Sequence, residues 1–262
     1  MPNDFILLVI LALALVSGVR ADEVTQETDT RIVGGSEAVD GEFPHQVSLR
    51  QKYSKGWHHF CGGSILSARW ILSAAHCTER FTKDQIRVVV GTNSLNSGGD
   101  LYEVEKIIRH EKYNNTSFAN DVEVIKVKKD IKFGAKVKAI SLPTSNTGGD
   151  VQLVTSGWGY IDIYHSQPNK LQKLTVKSLS VKKCQESELR IYRYINPITE
   201  NQICTFKKAR MGICQGDSGG PLTENKILVG ITSWNIPCAQ GRPDVFTRVF
   251  SYVDWIKKHA KD

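Results

Sequence analysis

Five short runs rich in β-branched residues constrain this chain most: Ile86–Val90, Val122–Val127, Leu171–Val181, Ile227–Thr232 and Asp244–Val249. Several alternate apolar and polar residues, and Gly, Asn, Asp or Pro punctuates the gaps. Alternation sends successive side chains to opposite faces of a strand, and punctuation turns the chain. Short strands at this spacing build barrels or sandwiches. One helix is predicted at the C-terminus. Ser251 can cap it, Tyr252, Val253 and Ile256 share a face, and Lys257 and Lys258 suit its C-terminal dipole. The polar, Gly-containing segment Pro143 to Asp150 reads as an internal linker, and no repeat or low-complexity tract appears.

The N-terminus reads as an export signal. Phe5 to Val16 is an apolar run of twelve residues, too short to span a bilayer and long enough for a signal-peptide core. Val19-Arg20-Ala21 fits a cleavage site after Ala21, so residues 1–21 are expected to leave. The run is uncapped and dissolves into the polar stretch Asp22 to Thr30, which makes it a poor buried helix. Export predicts a secreted, extracellular protein in an oxidising compartment. Six cysteines, Cys61, Cys77, Cys184, Cys204, Cys214 and Cys238, agree with that. Their wide spacing, without Cys-x-x-Cys, argues against zinc.

The whole chain carries +7. Residues 1–31 hold two of its 34 basic and five of its 27 acidic side chains, so residues 32–262 carry +10. An excess of that size can serve a polyanion. The basic residues are scattered rather than clustered with aromatics, however, which argues against nucleic acid. No other stretch is apolar enough to cross a membrane.

Three motifs carry chemistry: Ser73-Ala74-Ala75-His76-Cys77, Asn120-Asp121-Val122, and Gly216-Asp217-Ser218-Gly219-Gly220-Pro221. The first two alone are commonplace. In the third, glycines flank a serine in a tight turn that exposes its hydroxyl and backbone N–H. Acyl transfer needs these residue types together. A serine hydroxyl attacks a peptide only if a base takes its proton, and a neutral imidazole does so near neutral pH. A buried carboxylate sets the imidazole tautomer. Backbone N–H groups must face the developing oxyanion.

On these motifs, with Phe60-Cys61-Gly62-Gly63-Ser64 and Ser156-Gly157-Trp158-Gly159, the chain from Ile32 to its end resembles the chymotrypsin/trypsin family of serine proteases. The resemblance implies an all-β fold of two six-stranded antiparallel β-barrels with a C-terminal α-helix, the first barrel over about residues 32–144 and the second over about 145–262. It implies His76 as general base and acid, Asp121 as its orienter, Ser218 as nucleophile, and the N–H groups of Gly216 and Ser218 as oxyanion hole. It implies disulfides Cys61–Cys77, Cys184–Cys204 and Cys214–Cys238. No cofactor follows from it. Protein or peptide substrates, protein protease inhibitors, a trypsin-like activating protease and a monomeric state do. Few carboxylates lie between Val90 and Glu103, where trypsin-like members hold calcium, so no metal is expected.

Arg31-Ile32-Val33-Gly34-Gly35 resembles the family's activation site, which makes residues 22–31 a propeptide and residues 32–262 the protease domain. Cleavage after Arg31 would free the Ile32 ammonium to pair with Asp217. A propeptide this short, without cysteine, favours a digestive or other stand-alone role.

The primary pocket departs from the family's best-known members. Its base is expected at Gly212, where trypsins carry Asp, and its walls at Ser233, Trp234, Asn235 and Asp244. A small base residue with a wall Asp resembles arthropod chymotrypsins and the brachyurin-like proteases. Cleavage after large apolar or aromatic residues is the first expectation, and broad specificity through Asp244 the second. A solvated Asp244 outside the pocket is the plainer possibility. Asn114 and Asn115 head two overlapping glycosylation sequons. The competing class is a non-catalytic homologue, which would ordinarily have lost a triad residue or the activation site.

Overall fold

The computed structural model describes residues 32–54, 56–189, 198–236 and 238–261, and for residues 188 and 189 the backbone alone. The expected signal peptide and the expected propeptide that ends at Arg31 lie outside the described residues.

After a two-residue strand β1 (Ser36–Glu37), the first barrel is built from β2 (Gln46–Tyr53), β3 (Gly56–Ile65), β4 (Trp70–Ser73), β5 (Ile86–Val90), β6 (Asp100–Arg109) and β7 (Glu123–Val127). They close in the order β2-β3-β4-β7-β6-β5, every pair antiparallel. One short helix, α1 (Ala75–Thr78), follows β4 directly. Fully buried Val47, Leu49, Ile71, Val88, Val104 and Ile125 meet in the barrel's hydrophobic cluster. Each side chain so buried contributes about 1.5–3 kcal/mol relative to exposure.

The second barrel holds β8 (Gln152–Gly157), β9 (Gln172–Leu179), β10 (Gln202–Phe206), β11 (Pro221–Glu224), β12 (Ile227–Trp234) and β13 (Asp244–Arg248). Their order β9-β10-β13-β12-β11-β8 closes through the β8–β9 pair, and β1 adds to β9 as an outer strand. Burial alternates along β9, as period-2 patterning requires. Leu153, Leu174, Ile203, Leu222, Val229 and Phe246 fill this barrel together with Ile32. The expected fold class is therefore the observed one.

Two local expectations need correction. The run Leu171–Val181 stops as a strand at Leu179, because Ser180 Oγ accepts the Lys183 N–H and starts a helix, α2 (Val181–Leu189). The last helix, α3 (Val253–His259), is not capped by Ser251: a 3-10 turn over Val249–Tyr252 precedes it, and Tyr252 stands at the cap without a side-chain bond to the helix N-terminus. Tyr252 and Ile256 still face inward, on the first barrel's cluster. The segment Pro143 to Asp150 runs between β7 and β8, and there the buried Arg248 donates to Thr147 O at 2.8 Å.

The barrels meet through glycine. An ideal Cβ on Gly62 would lie 2.8 Å from Gly220 Cα, and Gly62 N donates to Ser218 O at 2.7 Å. That contact joins β3 to the loop carrying Ser218.

Candidate active site

His76 sits on α1, where the chain turns off the end of β4, and Asp121 sits just before β7, the neighbour of β4. Strand pairing thus brings two distant motifs together. Asp121 is fully buried. Its Oδ1 accepts the His76 backbone N–H at 2.9 Å, and its Oδ2 accepts His76 Nδ1–H at 2.8 Å and the Ser233 hydroxyl at 2.6 Å. A carboxylate can only accept, so Nδ1 carries the imidazole proton and Nε2 presents its lone pair. Burial opposes charge on His76, but the charge and hydrogen bond of Asp121, with Glu79 beyond, outweigh it and raise its pKa.

Ser218 lies on the turn between Cys214 and Pro221. The chain approaches closely here: an ideal Cβ on Gly219 would lie 2.7 Å from Gly62 O and 3.2 Å from Cys77 Sγ. Gly219, next to Ser218, is thereby set against the disulfide Cys61–Cys77, which anchors the His76 turn. Gly216 has φ +98°, a backbone that glycine tolerates, and its carbonyl accepts His59 Nε2–H at 2.9 Å. His59 Nδ1 in turn accepts the Ser48 hydroxyl at 2.9 Å. Burial lowers the His59 pKa to about 4, so the ring is a neutral strut. Asp217 is buried against Gly157 and Gly159 and accepts N–H groups from Gly159 (2.7 Å) and Cys214 (3.0 Å). Burial raises its pKa to about 6.

The pocket residues divide. Gly212 and Asp244 face each other, and Asp244 is only 5% exposed. Its Oδ2 accepts Ile213 N–H at 3.0 Å. Asn235 bonds the same wall, donating to Ile213 O at 2.6 Å. Burial pushes Asp244 up to about 8. The solvated Asp244 of the plainer possibility is thus excluded. Trp234 is half-buried beside Val245, its partner across β12 and β13. The Ser233 hydroxyl points at Asp121, from the place where the β12–β13 register shifts between Thr232 and Trp234.

The remaining expected residues are placed as follows. Disulfides join Cys61 to Cys77, Cys184 to Cys204 and Cys214 to Cys238. Ile32 is fully buried in the second barrel, and Val33 O accepts Gly212 N–H at 3.1 Å. Asn114 and Asn115 are exposed; Asn114 Oδ1 accepts two backbone N–H groups, and Asn115 donates to Glu79. Among the described residues, Cys61, His76 and Cys77 alone bring three metal-type ligand atoms together, and both sulfurs are spent in a disulfide.

Sequence reasoning missed Ser233 as a partner of Asp121, the Thr247 hydroxyl on Asp121 O (2.8 Å), and the Ser48–His59–Gly216 relay. The one signal available was the histidine two residues before Cys61.

The family model described as Trypsin matches residues 32–256. Chymotrypsin-2 of Vespa crabro is 43% identical over 230 residues, covering 87% of this chain and 99% of that protein. Hypodermin-B of Hypoderma lineatum is 38% identical over 259 residues, 98% of each chain. Trypsin II-P29 of Gallus gallus is 39% identical over 236 residues, 88% of this chain and 89% of that one. With this match added to the barrels and the hydrogen-bonded His76–Asp121 pair, the chain belongs to the trypsin family and is a serine endopeptidase.

Proposed function

We propose a secreted zymogen that, once cut after Arg31, cleaves peptides after large apolar side chains and also admits basic ones. The carrying observation is the buried Asp244 carboxyl beside Gly212. Protonated near neutral pH, it lines a slot that an aromatic or leucine side chain can enter. A Lys or Arg side chain that enters displaces the proton and pairs with the carboxylate. The names of the relatives, chymotrypsin and trypsin both, support a pocket between the two types.

In this reading Ser218 Oγ attacks the scissile carbonyl carbon while its proton passes to His76 Nε2. The oxyanion is held by the N–H groups of Gly216 and Ser218. His76 then protonates the leaving amine, the C–N bond breaks, and an acyl ester on Ser218 remains. Water attacks that ester with the roles of His76 repeated, releasing the acid and the free serine. Asp121 orients the ring and stabilises the imidazolium. The buried seat of Ile32 supports activation through its new ammonium and Asp217. Protein inhibitors would block the same cleft. The exposed Asn114–Asn115 loop supports one N-linked glycan.

The test is kcat/KM of trypsin-activated enzyme on matched peptides with Phe or Arg before the scissile bond, for wild type and Asp244→Asn. Turnover of both peptides, with Arg cleavage selectively lost in D244N, supports the reading. Phe cleavage alone, unchanged in D244N, reduces it to a chymotryptic pocket.

A further inference from the structure

Glu123 is a fully buried acid that the chemistry above does not use. It opens β7, two residues beyond Asp121, and pairs across the sheet with Ser73 on β4 and Arg109 on β6. Its Oε2 accepts the hydroxyl of Thr78, the last residue of α1. Arg109 grips the same residue, through Nε to Thr78 Oγ1 (2.9 Å) and Nη2 to Thr78 O (2.6 Å), and its Nε lies 3.8 Å from Glu123 Oε2. The α1 turn is therefore held twice from one stretch of chain. Asp121 takes His76, and Glu123 takes Thr78 two residues on.

We propose that Glu123 is a positioning residue for the general base: through Thr78 it locks the α1 turn, so that His76 meets Asp121 and Ser218 in one geometry. This rests on the reading of His76 as base. A neutral acid suits the task, because it offers an acceptor without a second negative charge behind the triad. Burial and the charge of Asp121 hold Glu123 well above the usual carboxylate range, against the Thr78 hydrogen bond and Arg109. Its Oε1 is buried without a hydrogen-bond partner, which an ionised carboxylate would tolerate worse than a neutral acid. The charged and titratable groups around it are Arg109 from β6, Asp121 ahead of β7, and Tyr113 from the loop after β6.

Activated enzyme would be compared as wild type, Glu123→Gln, Glu123→Ala and Thr78→Val, with His76→Ala as control. E123Q keeps a neutral acceptor for Thr78, so its kcat and the acid limb of kcat/KM are expected to match wild type. E123A and T78V should lower kcat about 10- to 100-fold with KM little changed, the scale of a displaced catalytic group. They should also move the acid limb and the downfield His76 Nδ1 proton resonance. Should E123A not fold, T78V carries the same readouts. Wild-type kcat, acid limb and resonance in E123A or T78V, with only Tm lowered, would overturn the role. So would E123Q damage equal to that of E123A. Wild-type turnover in H76A would instead remove the reading of His76 as base.

Discussion

An ideal Cβ on Gly212 would lie 2.6 Å from Asp244 Oδ2, so the Asp244 carboxyl occupies the space this glycine leaves open. Gly212→Ala should therefore lower stability by about 1–3 kcal/mol, the usual cost of overpacking, and reduce kcat/KM on Phe peptides. In an Asp244→Gly background most of that stability cost should vanish, because the two positions share one space. Denaturant unfolding of the four proteins of this cycle, in a Ser218→Ala background to prevent self-digestion, checks it. Additive costs would mean that Asp244 moves aside freely.

The Asp244 pKa gives two pH dependences. Binding a basic side chain requires the ionised carboxylate, so the ratio of Arg to Phe kcat/KM should rise with pH by about tenfold per unit well below 8 and level off above it. Taking the ratio cancels the titration of His76. Stability runs the other way. The buried carboxyl holds its proton from the ordinary 3.8 up to about 8, so the folded state binds more protons than the unfolded one in that window and stability falls as pH rises through it. D244N removes this loss. Its Tm advantage should be small at pH 4 and about 5 °C or more at pH 8; a constant gap across that range would contradict a buried, proton-holding Asp244.

Asp121 makes three hydrogen bonds that define the His76 ring. Asp121→Asn offers a donor where Nδ1 needs an acceptor and turns the ring to the wrong tautomer. Its kcat should fall by about 10⁴-fold with KM far less affected. Ser233→Ala removes one donor to the same carboxylate and should cost much less. Steady-state kinetics on one peptide rank the two, and equal losses would mean that Ser233 does more than solvate Asp121.

The pairing proposed for Ile32 and Asp217 makes activation testable. Arg31→Gln protein should stay inactive after trypsin treatment. Cleaved Asp217→Asn should lose activity on the scale of a broken buried ion pair, about 3–5 kcal/mol. N-terminal sequencing alongside an active-site titrant separates uncut from cut but unformed enzyme. Full activity in cleaved D217N would exclude the pairing.

The sequence by itself determined the family, the triad candidates and most strands. Each rests on local information: Gly216 to Pro221 is a turn that only glycine permits, and Ile86–Val90 or Ile227–Thr232 shows its strand in composition. It could not place Asp244, because whether an acid after a proline is solvated or buried depends on which strand lies opposite. Here β13 pairs with β10 and β12 and carries that carboxyl to Gly212. Ser233 read as a pocket residue, and its hydroxyl bond to Asp121 forms at a register shift between β12 and β13 that no local pattern announces. Nothing in the run Val122–Val127 singles out Glu123, and only the closure of β4, β6 and β7 buries it against Thr78 and Arg109. Residue type and local spacing are written along the chain, whereas burial, and with it the protonation of an acid, arises only when distant strands close over a side chain.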